Sequence, residues 1–127
     1  MILGENENPN IWRDNIYSAL KDLSDIEYQK LTWLGKHPKY ISSFTETLAR
    51  VYDDFDFERY IQYYESINGK NKIYIAFSEL DKMIDDYQKI GYETEKQTEG
   101  SQLILKDPNW IKITEKAKEI IELIKTH

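Results

Sequence analysis

Cysteine is absent, so the chain can form no disulfide and offers neither a thiolate nucleophile nor a zinc–cysteine site. At 127 residues it has the length of one domain. A chain of that size removes roughly two-thirds of its unfolded surface from water on folding, so a core needs no cross-links. The missing cysteine also fits a reducing compartment. Histidine is almost as scarce, with only His37 and His127. Imidazole does most acid–base work near neutral pH, and neither residue stands at ligand spacing from a second histidine or a carboxylate. His37 reads as a loop residue beside Pro38, and His127 as part of a frayed end. Among only five glycines there is no phosphate-cradling loop, dinucleotide fingerprint or nucleophile elbow. No apolar run approaches the ~20 residues that a membrane-spanning helix needs. Met1–Asn8 lacks a basic n-region and is expected to be a flexible tail rather than a secretory signal. These absences predict a cytoplasmic protein without catalytic residues, metal or cofactor, and with no membrane partner.

Acidic charge is what the chain has in excess. Twenty-three acidic against 17 basic residues leave a net charge of −6. Phosphate backbones are repelled by such a surface, so nucleic acid is not an expected partner. A basic protein suits it better, although a modest negative charge also serves solubility alone.

Apolar periodicity predicts a mainly α fold: residues 1–127 as a single-domain bundle of about five or six helices, with one short extended segment near 102–106. Asn8-Pro9 opens the first helix, whose inner face is Trp12, Ile16, Ala19, Leu20 and Leu23. Ser24 and Glu27 form a capping box before a second helix with Tyr28, Leu31 and Leu34 inward, closed by Gly35 and Pro38. A second box, Ser43 and Glu46, precedes the face Phe44, Leu48, Val51, Tyr52, Phe55. The spacing resumes at Phe57 with Tyr60, Ile61, Tyr64 and Ile67, up to Asn68-Gly69. That pair is also a hairpin signal. Neither flank alternates cleanly, however, and Ile73, Ala76, Phe77, Leu80, Met83, Ile84, Tyr87 and Ile90 make a helical stripe ending at Gly91. Residues 92–106 read as a polar connection around Leu103-Ile104-Leu105. Asp107-Pro108 opens the last helix, with Trp110, Ile113, Ala117, Ile120, Ile121 and Ile124 inward. Its lysines and glutamates interleave as a solvated face.

The most distinctive polar feature is Asp53-Asp54-Phe55-Asp56-Phe57-Glu58, four carboxylates in six residues without a basic one among them. Asp54 or Asp56 is placed to cap the helix starting near Phe57, where the helix dipole favours negative charge. A magnesium or calcium site is the second reading, although the glycine turn and distal glutamate of a calcium loop are missing. The third is an acidic recognition surface, which can coexist with a cap. Tyr63 falls off the apolar face of its helix, and Tyr74 shares a side of the next helix with Asp81 and Asp85. Tyrosine beside carboxylate is the composition of a polar binding surface, although a tyrosine can equally cover a helix edge. The candidate partner-binding residues are Asp53, Asp54, Asp56, Glu58 and Tyr63, with Tyr74, Asp81 and Asp85 as a second group.

Three passages carry a resemblance. They are Trp12-Arg13 through Ala19-Leu20, Leu23-Ser24-Asp25 and Tyr28-Gln29 to Trp33; the Asp53-Asp54 pair; and Asp107-Pro108-Asn109-Trp110. Together they resemble a group of small helical bacterial proteins of unassigned biochemistry, departing from it at Ile61-Gln62, where an Ile-Gly step is usual. Proteins of this kind also resemble the immunity proteins of contact-dependent growth inhibition and polymorphic toxin systems. The resemblance implies a small cytoplasmic inhibitor that binds a cognate toxin domain and blocks its active site or substrate entry. Two other expectations stand beside it: a carboxylate–metal enzyme built on the same aspartates, and a helical self-association or scaffold module.

Overall fold

The computed structural model describes residues 8–126, and among them helices are joined by short turns and one longer loop, 34–43, with no strand. In chain order they are α1 (Pro9–Ser24), α2 (Ile26–Trp33), α3 (Phe44–Ala49), a π-helical turn (Arg50–Asp54), α4 (Phe57–Asn68), α5 (Lys72–Glu95), α6 (Gly100–Lys106) and α7 (Pro108–Thr126). The mainly α class is as the periodicity predicts. The count is seven α-helices among the described residues rather than five or six. The expected flexible tail falls mostly on residues 1–7, outside the described ones. Its last member, Asn8, is instead the N-cap of α1: its side chain accepts from the N–H groups of Asn10 and Ile11 at 2.8 and 3.3 Å.

One hydrophobic cluster draws on every helix. α1 packs along α7, α5 lies against the other flank of α7, and α6 bridges α5 and α7. Trp12, Ile16, Ala19, Leu20 and Leu23 are all buried, as are Trp110, Ile113, Ala117 and Ile120 on α7. At the centre, Trp110 is fully buried and meets Phe44 edge-on at 5.3 Å between ring centroids, with Trp33 at 5.7 Å and Tyr87 at 5.9 Å. Such offset and T-shaped pairs add about 0.5–1.5 kcal/mol each beyond the area they bury.

Several boundaries and faces differ from expectation. The α2 cap is Asp25, whose Oδ1 accepts from Tyr28 N–H at 3.0 Å. Ser24 still belongs to α1, its hydroxyl donating to the Lys21 carbonyl. The face turned inward differs as well: Gln29, Thr32 and Trp33 are buried while Leu31 is 43% exposed. Gln29 replaces a missing apolar contact by satisfying its whole amide. It donates to the carbonyls of Asp22 and Leu23 at 3.1 and 2.9 Å, and it accepts from Trp110 Nε1 at 3.0 Å.

Ile67 and Ile90, expected inward, are exposed near the ends of their stripes. Gly91 does not end α5. It sits inside the helix because the Phe44 ring lies where a Cβ would be, and the helix runs on to Glu95. The predicted connection over 92–106 is correspondingly short, and no extended segment forms near 102–106. Those residues are α6, whose Ile104 and Leu105 reach the core. A three-residue apolar run has no period of its own, so the tertiary contact decides it.

Candidate functional site

The π turn is where the local ladder changes. Phe55 N–H reaches back five residues to the Arg50 carbonyl at 3.2 Å, and Asp56 N–H reaches Tyr52 at 3.1 Å. The wider turn ends in Asp56 with φ +51°, in the left-handed region that aspartate tolerates better than most residues. Neither Asp54 nor Asp56 then caps α4 through its side chain, against expectation. Asp56 instead lies 3.5 Å from Arg59, one turn into α4. π turns interrupting helices recur at functional sites.

This turn directs Tyr52 across to α5, where its hydroxyl donates to Asp81 Oδ1 at 2.8 Å. The first turn of α4 brings Glu58 to the same place, and Asp85 follows Asp81 one turn along α5. Glu58, Ile61 and Gln62 of α4 face Ser78, Asp81, Lys82 and Asp85 of α5 across an open groove of about 420 Å³. Among the described residues none of Glu58, Asp81 and Asp85 forms an ion pair, whereas Lys82 is engaged by Asp86 at 3.1 Å. Burial pushes the Asp81 carboxyl above its ordinary value, the Tyr52 hydrogen bond opposes this, and neighbouring Asp85 adds to it. The Tyr52 hydroxyl is pushed up as well, by burial first and then by Asp81, so it remains a donor.

The structure therefore gathers Glu58, Asp81 and Asp85, which belonged to two separate sequence groups. Tyr74 lies beyond them. It lines an adjoining apolar hollow with Ile75 and Met83, which shares Ser78 and Lys82 with the acidic groove. Asp53, Asp54 and Asp56 do not line the groove. Asp53 is exposed, and Asp54 borders a crevice with Asp22 and Arg50, themselves an ion pair. Tyr63 is not free on the surface. It is half-buried, 5.4 Å from the Trp12 ring, because α1 crosses the side of α4 that the apolar stripe leaves open. Trp12 is held there by its Nε1, which donates to the Phe55 carbonyl at 2.7 Å.

The family model described as "Domain of unknown function (DUF7945)" matches residues 9–127. The chain belongs to this family. No curated protein and no solved structure matches it. The match spans α1 to α7, so the groove and the π turn both lie within the DUF7945 domain.

Two groove features escaped the linear reading. Tyr52 was legible only as a core aromatic, although the phase break between Phe55 and Phe57 marks the interrupted ladder behind it. Glu58 looked like part of the aspartate run, because pairing α4 with α5 is a tertiary fact. Among the described residues no three His, Asp or Glu side chains converge closely enough to hold a metal ion. Three carboxylates with a tyrosine at the margin form an acceptor-rich surface, matched to guanidinium and ammonium donors.

Proposed function

We propose that this protein is an immunity-type inhibitor, cytoplasmic, that binds a basic toxin domain through the groove between α4 and α5. The observation that supports this is the convergence of Glu58, Asp81 and Asp85 from two helices, none of them in an ion pair among the described residues, beside a Lys82 that is engaged by Asp86. Gathering like charges costs free energy in the unbound protein, and a partner's arginine or lysine side chains relieve it. Tyr74, Ile75 and Met83 supply apolar contact beside the charges, the composition of a desolvated anchor next to a polar rim. Asp53, Asp54 and Asp56 contribute to the field that speeds encounter. Tyr63, half-buried against Trp12, offers only its remaining edge to a partner. The net charge of −6 and the resemblance to immunity proteins point the same way.

The experiment is a binding titration against the C-terminal domain encoded immediately upstream of this gene, at two salt concentrations. Expected is nanomolar, salt-sensitive binding that abolishes toxicity, at an affinity common for specific interfaces. Glu58→Lys with Asp85→Lys should weaken it on the order of 100-fold and flatten the salt dependence. Unchanged affinity in that double variant would move the interface elsewhere. Absence of binding by the unaltered chain would remove the immunity role.

A further inference from the structure

The loop from Leu34 to Ser43, between α2 and α3, is organised by an imidazole. His37 Nδ1 accepts hydrogen bonds from the N–H groups of Lys39 and Tyr40, both at 3.0 Å. This repeats the pattern by which Asn8 Oδ1 accepts from residues two and three ahead. In both side chains the acceptor is the δ1 atom, one bond past Cγ, so the same ring closes as in a turn capped by asparagine. The two acceptors differ in one respect. An amide oxygen accepts at any ordinary pH, whereas an imidazole nitrogen accepts only while unprotonated. The two bonds assign the neutral ring's proton to Nε2.

The ring is seated between Tyr28 of α2, edge-on at 5.6 Å, and Tyr40, at 5.2 Å. Both ends of the loop are tied independently of it. Lys36 and His37 N–H donate to the Leu31 carbonyl at 2.8 and 3.1 Å, and Ser42 N–H donates to Thr32 at 3.1 Å. Between these anchors stand Tyr40, 55% exposed, and Ile41, at 85% the most exposed large apolar side chain among the described residues. Tyr40, Ile41 and Ser42 form one rim of a crevice of about 210 Å³ floored by Gln29 and Trp33.

We propose that His37 is a pH-sensitive latch: its neutral imidazole holds the Pro38–Ile41 turn, and protonation releases the Tyr40–Ile41 tip from the crevice rim. Protonating Nδ1 sets an N–H against two N–H groups, so both bonds are lost together while the anchors at Leu31 and Thr32 persist. The neighbouring titratable and charged groups are Tyr28 of α2 and Lys36, Lys39 and Tyr40 of the loop. Across the crevice stand Asp22 of α1, Glu46 of α3, and Arg50 and Asp54 of the π turn. Among the described residues none of them forms an ion pair with the imidazole, and the adjacent lysines are of the sign that protonation would add. No ion pair among the described residues compensates the two lost bonds.

The test is amide and side-chain NMR of the full chain from about pH 8 to about pH 5, the range in which imidazole titrates. The Lys39 and Tyr40 amides should follow the His37 ring along one curve and lose on the order of tenfold in exchange protection, while the Ser42 amide stays constant. His37→Asn should keep the turn closed and abolish the response, because its Oδ1 takes over both bonds. His37→Ala should show the released turn already at pH 8. Amides that stay flat while the ring titrates, a ring that does not titrate in this range, or the same response in His37→Asn would each overturn the latch. None of these measurements involves a partner protein, so the outcome is independent of the immunity role.

Discussion

Two stretches of α5, its middle and its C-terminal turns, face opposite kinds of chemistry. Its C-terminal turns pack Tyr87 and Gly91 into the aromatic centre made by Phe44, Trp33 and Trp110. There each buried polar atom meets a partner: Trp110 finds Gln29, and the Tyr87 hydroxyl donates to Asp107 at 2.8 Å. Its middle turns gather Asp81 and Asp85 on another face, against Glu58, with one tyrosine hydroxyl among them. Satisfied aromatic packing makes one stretch rigid, whereas partial burial of a carboxylate, with a second one beside it, is costly in the other. The contrast separates the packing that holds this fold from the grouped charge that does not.

Trp110→Ala should break the aromatic stretch most severely. Removing a fully buried indole leaves a cavity among three rings and exposes the Gln29 amide, at about 3–5 kcal/mol by denaturant titration. Gly91→Ala comes next. Its methyl would fall on the Phe44 ring, and overpacking of this kind costs about 1–3 kcal/mol. A variant as stable as the unaltered protein would show that Phe44 has room to move. Gln29→Leu preserves volume but strands Trp110 Nε1 and the Leu23 carbonyl, while Asp22 keeps the Asp25 N–H, for about 2 kcal/mol, readable as a lower midpoint at unchanged slope.

The acidic stretch should respond with the opposite sign and the smallest size. The Asp81 carboxyl is raised in the folded state, by burial first, so the fold binds its proton more tightly than the unfolded chain does. Its charge therefore destabilises above the folded pKa, and that penalty disappears as pH falls through it. Asp81→Asn keeps an acceptor for Tyr52 and removes the charge. It should raise stability at pH 7 by less than about 1 kcal/mol, since the site is partly solvated, with the gain vanishing once Asp81 is protonated. A loss of stability at pH 7 would mean that the carboxylate is held by more than Tyr52.

What was legible from residues alone follows a pattern. α1 and α7 could be read almost residue by residue, because a cap, a first-turn proline and a long apolar stripe agree there. α2 could not. It is eight residues long, and with Leu31 competing against Trp33 the wrong face looked more apolar until α7 brought Trp110 to Gln29. The acidic run was visible, but its division into exposed Asp53 and Asp54, an Asp56 near Arg59 and a groove-facing Glu58 was not. His37 was visible only as a loop histidine, since hydrogen bonding of its ring to the backbone depends on how the loop closes.

The sequence by itself determined the mainly helical class, the caps of α1, α3 and α7, most of the core residues and the acidic balance, all of which depend on neighbours within a few positions. Only the tertiary structure decided that α5 continues past Gly91, that residues 100–106 form a helix, and that Glu58 joins Asp81 and Asp85. These outcomes rest on contacts between residues far apart in the chain. Such contacts are set by which helix faces can pack together, and no local period encodes that.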